Sequence, residues 1–304
     1  MSAHPRPSAV VIGGANVDVV AISVGTLQPR VSAPGRIRIS AGGAGRNVAE
    51  NLARLGIATR LITTIDESPL GEWLLAQTAR AGVDTTGVLR TPGSGSYYVA
   101  VEAAGVVEWA VSDMAAAEAL SPAHLDAHAS EIRAAGVVVI DANLLPAAIT
   151  RAVELTAGRA VCLLPVSVAK AHRMRAVLSR ASLIVLTAAE GAVFTKREIQ
   201  SEEEAMRAAE SLRALAGATV VITMADRGIV WVSDDSLWLP ASPTNVVDSS
   251  GAGDAVAAIA VYSLLAGLNT RTAAPLALAA GAMTVSVEGP THPGLSLDAL
   301  HAHR

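Results

Sequence analysis

The stretch SSGAGDAVAAIAVY, residues 249–262, places a Gly-Ala-Gly-Asp turn at the start of an almost wholly apolar segment. No charged residue lies between Ala255 and Thr270, which predicts a buried helix over 253–266. Asp254 is therefore an isolated acid at the mouth of a buried helix. A carboxylate in such a place needs polar partners or a chemical role.

The segments that could bury this helix alternate between short apolar runs and longer amphipathic ones. Four continuous apolar runs, each followed by a helical segment, predict parallel strands covered on both faces, at 137–143, 160–166, 182–187 and 219–224. Further strands are predicted at 10–24 and 60–65, and further helices at 46–56, 68–82 and about 272–287. We therefore predict an α/β fold with a mostly parallel central sheet flanked by helices.

Two parts of the chain do not follow this β–α alternation. Residues 97–111 predict a hairpin of two closely spaced strands, and the second half of the strand at 10–24 has no helix after it. We expect both to form a small β-sheet lid, made from about 17–40 and 95–112, over one end of the main sheet. A second hairpin is predicted at 229–240. The whole chain, 1–304, is predicted to be one domain with this lid.

Composition narrows the classes of function. Among 304 residues, 51% are hydrophobic and 16% charged, and the net charge of −4 argues against a nucleic-acid-binding surface. The single cysteine, Cys162, fits a reducing compartment. The apolar runs are too short for membrane helices and the N-terminus has no signal-like apolar region. We expect a cytoplasmic protein with neither nucleic acid nor membrane as a partner.

The turn at 251–254 combines features that phosphoryl transfer requires. Glycines allow close backbone approach, and the free N–H groups at a helix start attract anions. Asp254 could accept the proton of a hydroxyl group that attacks phosphorus, while the N–H groups stabilise charge on the transferred group. The alternative is that Asp254 is an ordinary acid in the first turn of a helix.

A second glycine-rich turn, AGGAGRN at 41–47, also precedes a helix. Close backbone together with the amide of Asn47 suits sugar hydroxyls, although a tight loop with a capping Asn is an alternative. The turn is not a Walker A motif, because no GK[ST] follows. Asn16 and Asp18 lie on the same face of the first strand, where the pair could bind a vicinal diol.

These motifs occur in a characteristic order: GGANVDV at 13–19, AGGAGRNVAENLARLG at 41–56, DExxxG at 66–71, AGVDT at 81–85 and DSSGAGDA at 248–255. Together they resemble the ribokinase-like (PfkB) sugar and nucleoside kinases over nearly the whole chain. Within that family, the sequence is most similar to pseudouridine kinases in GRNVAENLARLG, SDM at 112–114, DAN at 141–143 and PVSxxK at 165–170.

The resemblance implies a ribokinase-like fold and ATP-dependent transfer of the γ-phosphoryl group to a primary hydroxyl of a furanose. The substrate it favours is pseudouridine, phosphorylated at the 5′-hydroxyl. A ribokinase or another nucleoside or sugar kinase is the alternative within the class. The alternative outside it is a non-catalytic nucleotide- or nucleoside-binding protein with a kinase fold.

The resemblance also assigns roles to residues. Asp254 matches the catalytic base, and the anion hole matches Gly251, Ala252 and Gly253. The substrate-binding set comprises Asn16, Asp18, Gly42, Gly43 and Asn47, to which we add the polar residues Ser96, Asp113 and Asn143. The nucleotide-binding set comprises Thr187, Glu190, Thr223, Gly228, Gly251 and Gly253.

Glu190 is expected to order Mg²⁺ through water. Asp248 and Ser250 match a monovalent-cation site, which K⁺ would occupy. The lid is expected to form a homodimer.

The sequence departs from the family pattern at three positions. Thr187 replaces the Asn of the N-x-x-E motif, Leu164 replaces an Asp, and Ala225 replaces a Gly. These changes place nucleotide affinity and metal handling in question, but they leave Asp254 and its turn intact. Lys170 could approach phosphates, although the sequence favours a surface lysine.

Overall fold

The computed structural model describes residues 8–28, 30–92, 95–101 and 107–303. The predicted turn of the hairpin, at 103–105, lies outside these residues. The strands are β1 (Ser8–Ile12), β2 (Asn16–Ser23), β3 (Gly35–Gly42), β4 (Ala58–Asp66), β5 (Asp84–Thr91), β6 (Ser96–Val101), β7 (Val107–Asp113), β8 (Val137–Asp141), β9 (Ala160–Leu164), β10 (Leu183–Thr187), β11 (Thr219–Thr223), β12 (Ile229–Val232) and β13 (Ser236–Leu239).

Helices connect most of the strands. The α-helices are α1 (Ala44–Arg54), α2 (Pro69–Arg80), α3 (Ala115–Glu118), α4 (Pro122–Ala127), α5 (Ala129–Ala134), α6 (Pro146–Leu155), α7 (Val168–Ala171), α8 (Ala188–Thr195), α9 (Glu202–Ala216), α10 (Ala252–Ala266), α11 (Thr270–Val285) and α12 (Leu297–Ala302). Two 3₁₀ helices span His172–Arg180 and Ala225–Arg227. No helix in the described ranges is long and apolar enough to cross a membrane.

The larger sheet of the described chain has the order β13-β12-β11-β10-β9-β8-β1-β4-β5. Its neighbours are parallel except for β11–β12 and β12–β13, which are antiparallel. The predicted mostly parallel sheet is therefore confirmed. β1 lies between β4 and β8, so the chain builds outward from β1 in both directions. Ligands of such sheets bind at the carboxyl ends of the strands near this reversal.

Helices cover both faces of this sheet, which is why its strands are continuously apolar. Ile12 and Ile140 belong to one buried cluster, and Val11 and Val139 belong to the other, as the alternation of side chains along a strand requires. The predicted buried helix is α10, which packs into the second cluster.

The smaller sheet has the order β3-β2-β6-β7 and contains the segments predicted to form the lid. The single strand predicted at 10–24 is wrong, because β1 and β2 belong to different sheets. They are separated at Gly13, where a Cβ would lie 2.4 Å from Oδ2 of Asp141. Glycine is therefore required at the point where the chain leaves the larger sheet beside β8.

Other boundaries also differ from the predictions. No separate strand was predicted at β3, although most of it lies within the predicted lid segment 17–40, and none was predicted at β5. Helix α1 begins at Ala44, two residues before the predicted start. Helix α2 follows its predicted N-terminus, since the Ser68 side chain accepts hydrogen bonds from the N–H groups of Leu70 and Gly71.

Candidate active site

The turn before α10 has a geometry that requires glycine at its first position. Gly251 has a φ of 72°, and a Cβ there would lie 1.9 Å from the carbonyl oxygen of Pro290. A Cβ at Gly253, by contrast, would have no heavy atom within 4 Å. The first turn of α10 is therefore open to a ligand on the side of Gly253, while Gly251 fixes the path of the backbone.

Asp254 is held by an ordered set of polar side chains. Nδ2 of Asn47 donates to its Oδ2 at 2.8 Å, and Nη1 of Arg46 donates to Oδ1 of Asn47 at 3.1 Å. Arg46 is itself buried and paired with the carboxylate of Glu50. The two glycine-rich turns thus meet, and α1 orients the carboxylate of α10. The sequence did not single out Arg46, although an arginine beside the candidate Asn47 was the available signal.

Burial raises the pKa of Asp254 from its usual value to about 7. The hydrogen bond from Asn47 opposes this shift, whereas the nearby carboxylates of Asp141, Asp18 and Glu190 add to it. A general base works best when its pKa lies near the working pH. The environment therefore suits Asp254 to accept a proton near neutrality.

One cleft, the helix cleft, lies between α8 and α10 and has a volume of about 250 Å³. Its lining includes Asp254, Gly253, Gly251, Glu190, Thr187, Thr223, Leu164, Val166 and Ala44. It therefore brings together most of the residues predicted to bind nucleotide, and it places the substituted Leu164 and Thr187 among them.

Thr187 and Glu190 form a reciprocal cap at the start of α8. Oγ1 of Thr187 accepts from the Glu190 N–H at 3.2 Å, and Oε2 of Glu190 accepts from the Thr187 N–H at 2.9 Å. Burial raises the pKa of Glu190, although hydrogen bonds from the backbone and the side chain of Thr187 to its carboxylate oppose that shift. Threonine at this position therefore keeps the glutamate oriented toward the cleft.

A second cleft, the lid cleft, lies between the smaller sheet and α1. Its lining includes Asn16, Asp18, Gly43, Tyr97, Met114, Asn143, Lys170, Val166 and Ala44. Nδ2 of Asn16 donates to Oδ1 of Asp18 at 2.5 Å. A Cβ at Gly42 would lie 2.1 Å from Oδ2 of Asp18, so glycine is required beside this carboxylate.

Asp18 also has a raised pKa, at about 6, because burial disfavours its charge. The hydrogen bond from Asn16 and the positive charges of Arg46 and Arg38 lower the pKa, while Asp248 raises it. Close to neutral pH the carboxylate is mostly ionised, and an ionised carboxylate accepts hydrogen bonds from paired hydroxyls.

Asp141, at the end of β8, ties the turns around the lid cleft together. Its fully buried carboxylate accepts hydrogen bonds from the backbone N–H groups of Gly14, Gly45 and Asn143 at 2.8 to 2.9 Å. Burial raises its pKa, and these hydrogen bonds oppose the shift. Sequence analysis selected Asn143 of the DAN motif as a site residue but not Asp141. The signal for Asp141 was an acidic residue at the end of a continuous apolar strand.

The interpretation of Lys170 as a surface lysine is wrong. Lys170 lines the lid cleft, and its Nζ donates to Oδ1 of Asn143 at 2.8 Å. Burial lowers its pKa, while the Asp141 carboxylate opposes that change. The short helix α7 turns the side chain back toward the end of β8, and the spacing of residues alone does not predict that turn.

Ala44 and Val166 line both clefts, so the two clefts adjoin there. Val166 has a φ of 56°, a strained conformation for a β-branched residue. The Ser167 N–H donates to the carbonyl oxygen of Pro165 at 2.7 Å, which closes a tight turn around Val166. Such strain concentrates at functional sites, and here it lies where the clefts meet.

Several predicted site residues line neither cleft in the described structure. Asp113 is exposed and accepts from the Ala115 N–H at 3.1 Å, while Ser96 is buried within the smaller sheet. Gly228, at a φ of 92°, packs against the backbone of Leu239. Asp248 and Ser250 lie in the loop before the α10 turn, where the Ser250 N–H donates to Oδ1 of Asp248 at 3.0 Å.

The helix cleft offers hard oxygen donors that suit Mg²⁺, namely the Glu190 carboxylate and the Thr187 and Thr223 hydroxyls. The described residues contain no cluster of three or more His, Cys, Asp or Glu that could hold a metal ion alone. The single carboxylate and two hydroxyls of this cleft fit Mg²⁺, because that ion usually keeps several waters and binds through one or two carboxylates and substrate phosphates.

Comparison with known proteins identifies the class to which this fold and site belong. Residues 6–296 match the model of the pfkB family carbohydrate kinases, so the chain belongs to that family. Members of this family are phosphotransferases that act on hydroxyl groups. The chain is accordingly a sugar or nucleoside kinase, and its α/β architecture is ribokinase-like.

Individual relatives extend the comparison. The pseudouridine kinase of Escherichia coli (strain K12) is 29% identical over 292 residues, which cover 95% of this chain and 93% of the relative. The uncharacterized sugar kinase YeiI of the same strain is 32% identical, with 95% and 81% covered. The structure of Arabidopsis thaliana ribokinase complexed with ribose and ATP is 20% identical, has a TM-score of 0.83 and covers 97% of this chain and 99% of its own.

Proposed function

We propose that this protein transfers the γ-phosphoryl group of ATP to the 5′-hydroxyl of pseudouridine. The observation that carries the proposal is the position of Asp254, which Asn47 holds at 2.8 Å in the helix cleft, beside the junction with the lid cleft. A base at that point can reach a hydroxyl in one cleft and a phosphoryl group in the other. Its environment, with a pKa of about 7, supports the same role.

In the proposed reaction Asp254 takes the proton of the 5′-hydroxyl as its oxygen bonds to the γ-phosphorus. The bond between that phosphorus and the β–γ bridging oxygen breaks, and ADP leaves. The backbone N–H groups of the 251–254 turn stabilise negative charge on the transferred group. Glu190 would hold Mg²⁺ through water, and the bound ion would supply positive charge that compensates the phosphates.

The lid cleft supports a ribosyl substrate. Asp18, bonded to Asn16, suits the 2′- and 3′-hydroxyls, because a carboxylate and an amide together accept and donate hydrogen bonds. Lys170 and Asn143 present further polar groups to a base. The name of the Escherichia coli relative supports pseudouridine, and the lone Cys162 supports a cytoplasmic location.

Phosphorylation of free ribose is the second candidate, because a solved ribokinase with ribose and ATP shares the fold. ADP release should be measured with pseudouridine, uridine, guanosine, ribose and water as acceptors, and the product characterised by ³¹P NMR. We expect a phosphorus signal coupled to the two C5′ protons of pseudouridine. ADP release that is no faster with pseudouridine than with water would refute the proposal.

We also propose that the smaller sheet forms a homodimer interface. One row across its four strands is apolar, since Ile39 pairs with Val19, Val19 with Tyr98 and Tyr98 with Val111. Ile37, 72% exposed, extends the apolar face along β3. Contiguous exposed apolar surface of this kind marks interaction sites.

Light scattering after size exclusion tests the interface. Ile37→Glu should convert a dimer to a monomer, because it places a charge on the apolar face at its most exposed position. Leu215→Glu is the matched control, since Leu215 is 63% exposed at the end of α9, away from this sheet. A monomeric wild-type protein at micromolar concentration would contradict the proposal.

A further inference from the structure

Asp248 lies three residues before the α10 turn, and both of its carboxylate oxygens have partners. Oδ1 accepts from the Ser250 N–H at 3.0 Å, and Oδ2 accepts from the Gly289 N–H at 3.1 Å. The Asp248 N–H donates to the carbonyl oxygen of Val285 at 3.2 Å. Asp248 thus connects the loop that enters the α10 turn with the end of α11.

The third partner of Asp248 comes from the smaller sheet. Nη2 of Arg38, on β3, donates to Oδ2 of Asp248 at 2.5 Å, and only 10% of the Asp248 side chain is exposed. Nη1 of Arg38 also lies 4.0 Å from Oε1 of Glu288. A partly buried ion pair therefore joins the smaller sheet to the loop that enters the α10 turn.

The environment keeps Asp248 ionised. Burial alone would raise its pKa, but hydrogen bonds from Ser250 and Gly289 and the charge of Arg38 together hold it below the usual value. A guanidinium is always charged, and its planar donors match a carboxylate. The positive charge that compensates Asp248 is thus part of the chain.

These contacts do not fit the monovalent-cation site that the family resemblance implied. A K⁺ ligated by Asp248 would have to share a carboxylate that already accepts hydrogen bonds from Ser250, Gly289 and the charged Arg38. The ion would also lie beside the Arg38 guanidinium, and two positive charges at contact distance repel each other. Ser250 donates its backbone N–H to this carboxylate, so it contributes a hydrogen-bond donor to Asp248.

We infer that the Arg38 guanidinium replaces a monovalent cation at Asp248, so that this kinase works without K⁺. Arg38 supplies the fixed charge beside the α10 turn. Because Arg38 belongs to the smaller sheet, the same ion pair also holds that sheet against the catalytic turn.

The wild-type protein gives the first test. Its kcat and its melting temperature should be measured in 100 mM KCl, NaCl and tetramethylammonium chloride at equal ionic strength. We expect kcat to agree within about twofold and the melting temperature of the substrate-free protein to be unchanged, since no K⁺ binds. Activation by K⁺ of more than about tenfold over tetramethylammonium would overturn the inference, as would selective stabilisation by K⁺.

Substitution of Arg38 gives the second test. Arg38→Ala should lose at least about tenfold in kcat in tetramethylammonium and gain K⁺-selective thermal stabilisation, because Asp248 is then free to bind an ion. Arg36→Ala is the control: Arg36 lies on the same strand, its side chain is 70% exposed, and its Nη2 lies 3.7 Å from Oε1 of Glu288, so it should behave as wild type. If Arg38→Ala does not fold, Arg38→Lys, which keeps the charge, should fold and remain independent of K⁺. Arg38→Ala that matches Arg36→Ala in both measurements would contradict the inference.

Discussion

At the scale of single residues, the proposed phosphoryl transfer depends on the carboxylate of Asp254 and on the Asn47 amide that orients it. We expect Asp254→Asn to lower kcat by about 10²–10⁴, the range for removal of a general base. KM for both substrates should change little, because the proton is transferred only in the transition state. Steady-state kinetics measure both parameters, and near-wild-type turnover would exclude Asp254 from the mechanism.

The pKa of Asp254 predicts how the activity depends on pH. Only the ionised carboxylate can accept a proton, so kcat/KM should rise as the pH increases through about 7. Asn47 lowers this pKa through its hydrogen bond, and Asn47→Ala should therefore move the rise to higher pH. A pH profile that is flat from pH 5.5 to 8.5 would show that another group limits the reaction.

Some residues of the candidate site could be predicted from the sequence, and others could not. The glycine-rich turns predicted Asp254 and Asn47, because each motif is made of a few neighbouring residues in the sequence. Lys170 and Asp141 act through partners 27 and 127 residues away, which no local pattern specifies. The strained φ of Val166 is likewise imposed by its surroundings, since isolated valine disfavours that conformation.

At the scale of secondary-structure elements, helix α8 provides a test of a departure from the family pattern. Thr187→Ala removes the side-chain oxygen that caps the helix, which should cost about 1 kcal/mol of stability. Since the cap also holds Glu190, KM for ATP should rise. Thr187→Asn keeps a capping oxygen and should preserve both properties. Equal thermal stability and equal KM for all three proteins would show that the cap has no role.

The elements also show where sequence patterns succeed. Continuous apolar runs correctly predicted β8 to β11, because a strand that is buried on both faces has apolar residues at successive positions. The pairing of β2 with β3 was harder to predict, since the alternation of arginines and isoleucines in β3 is typical of a strand but does not specify its partner. The break between β1 and β2 lies at Gly13, where the need for glycine comes from Asp141 of β8, more than a hundred residues later.

At the scale of the whole molecule, the two sheets supply different parts of one site. The larger sheet and its helices build the helix cleft, whereas the smaller sheet, the start of α1 and the segments that follow β8 and β9 build the lid cleft. The clefts meet near the reversal of strand order at β1, as expected for an open α/β sheet. Covering this junction would exclude water, to which the phosphoryl group would otherwise be lost.

A competition experiment among three acceptors is the most direct test of whether this enzyme prefers pseudouridine. Equimolar pseudouridine, uridine and ribose are incubated with the enzyme and limiting ATP, and the phosphorylated products are quantified. A site that accepts a hydrogen bond from the extra ring N–H of pseudouridine leaves that acceptor unpaired with uridine, which gives roughly 10⁴-fold discrimination, against about 10–200-fold from shape alone. We predict that pseudouridine 5′-phosphate exceeds uridine 5′-phosphate by more than about 200-fold. Comparable amounts of the two nucleotides, or a predominance of ribose phosphate, would contradict the account.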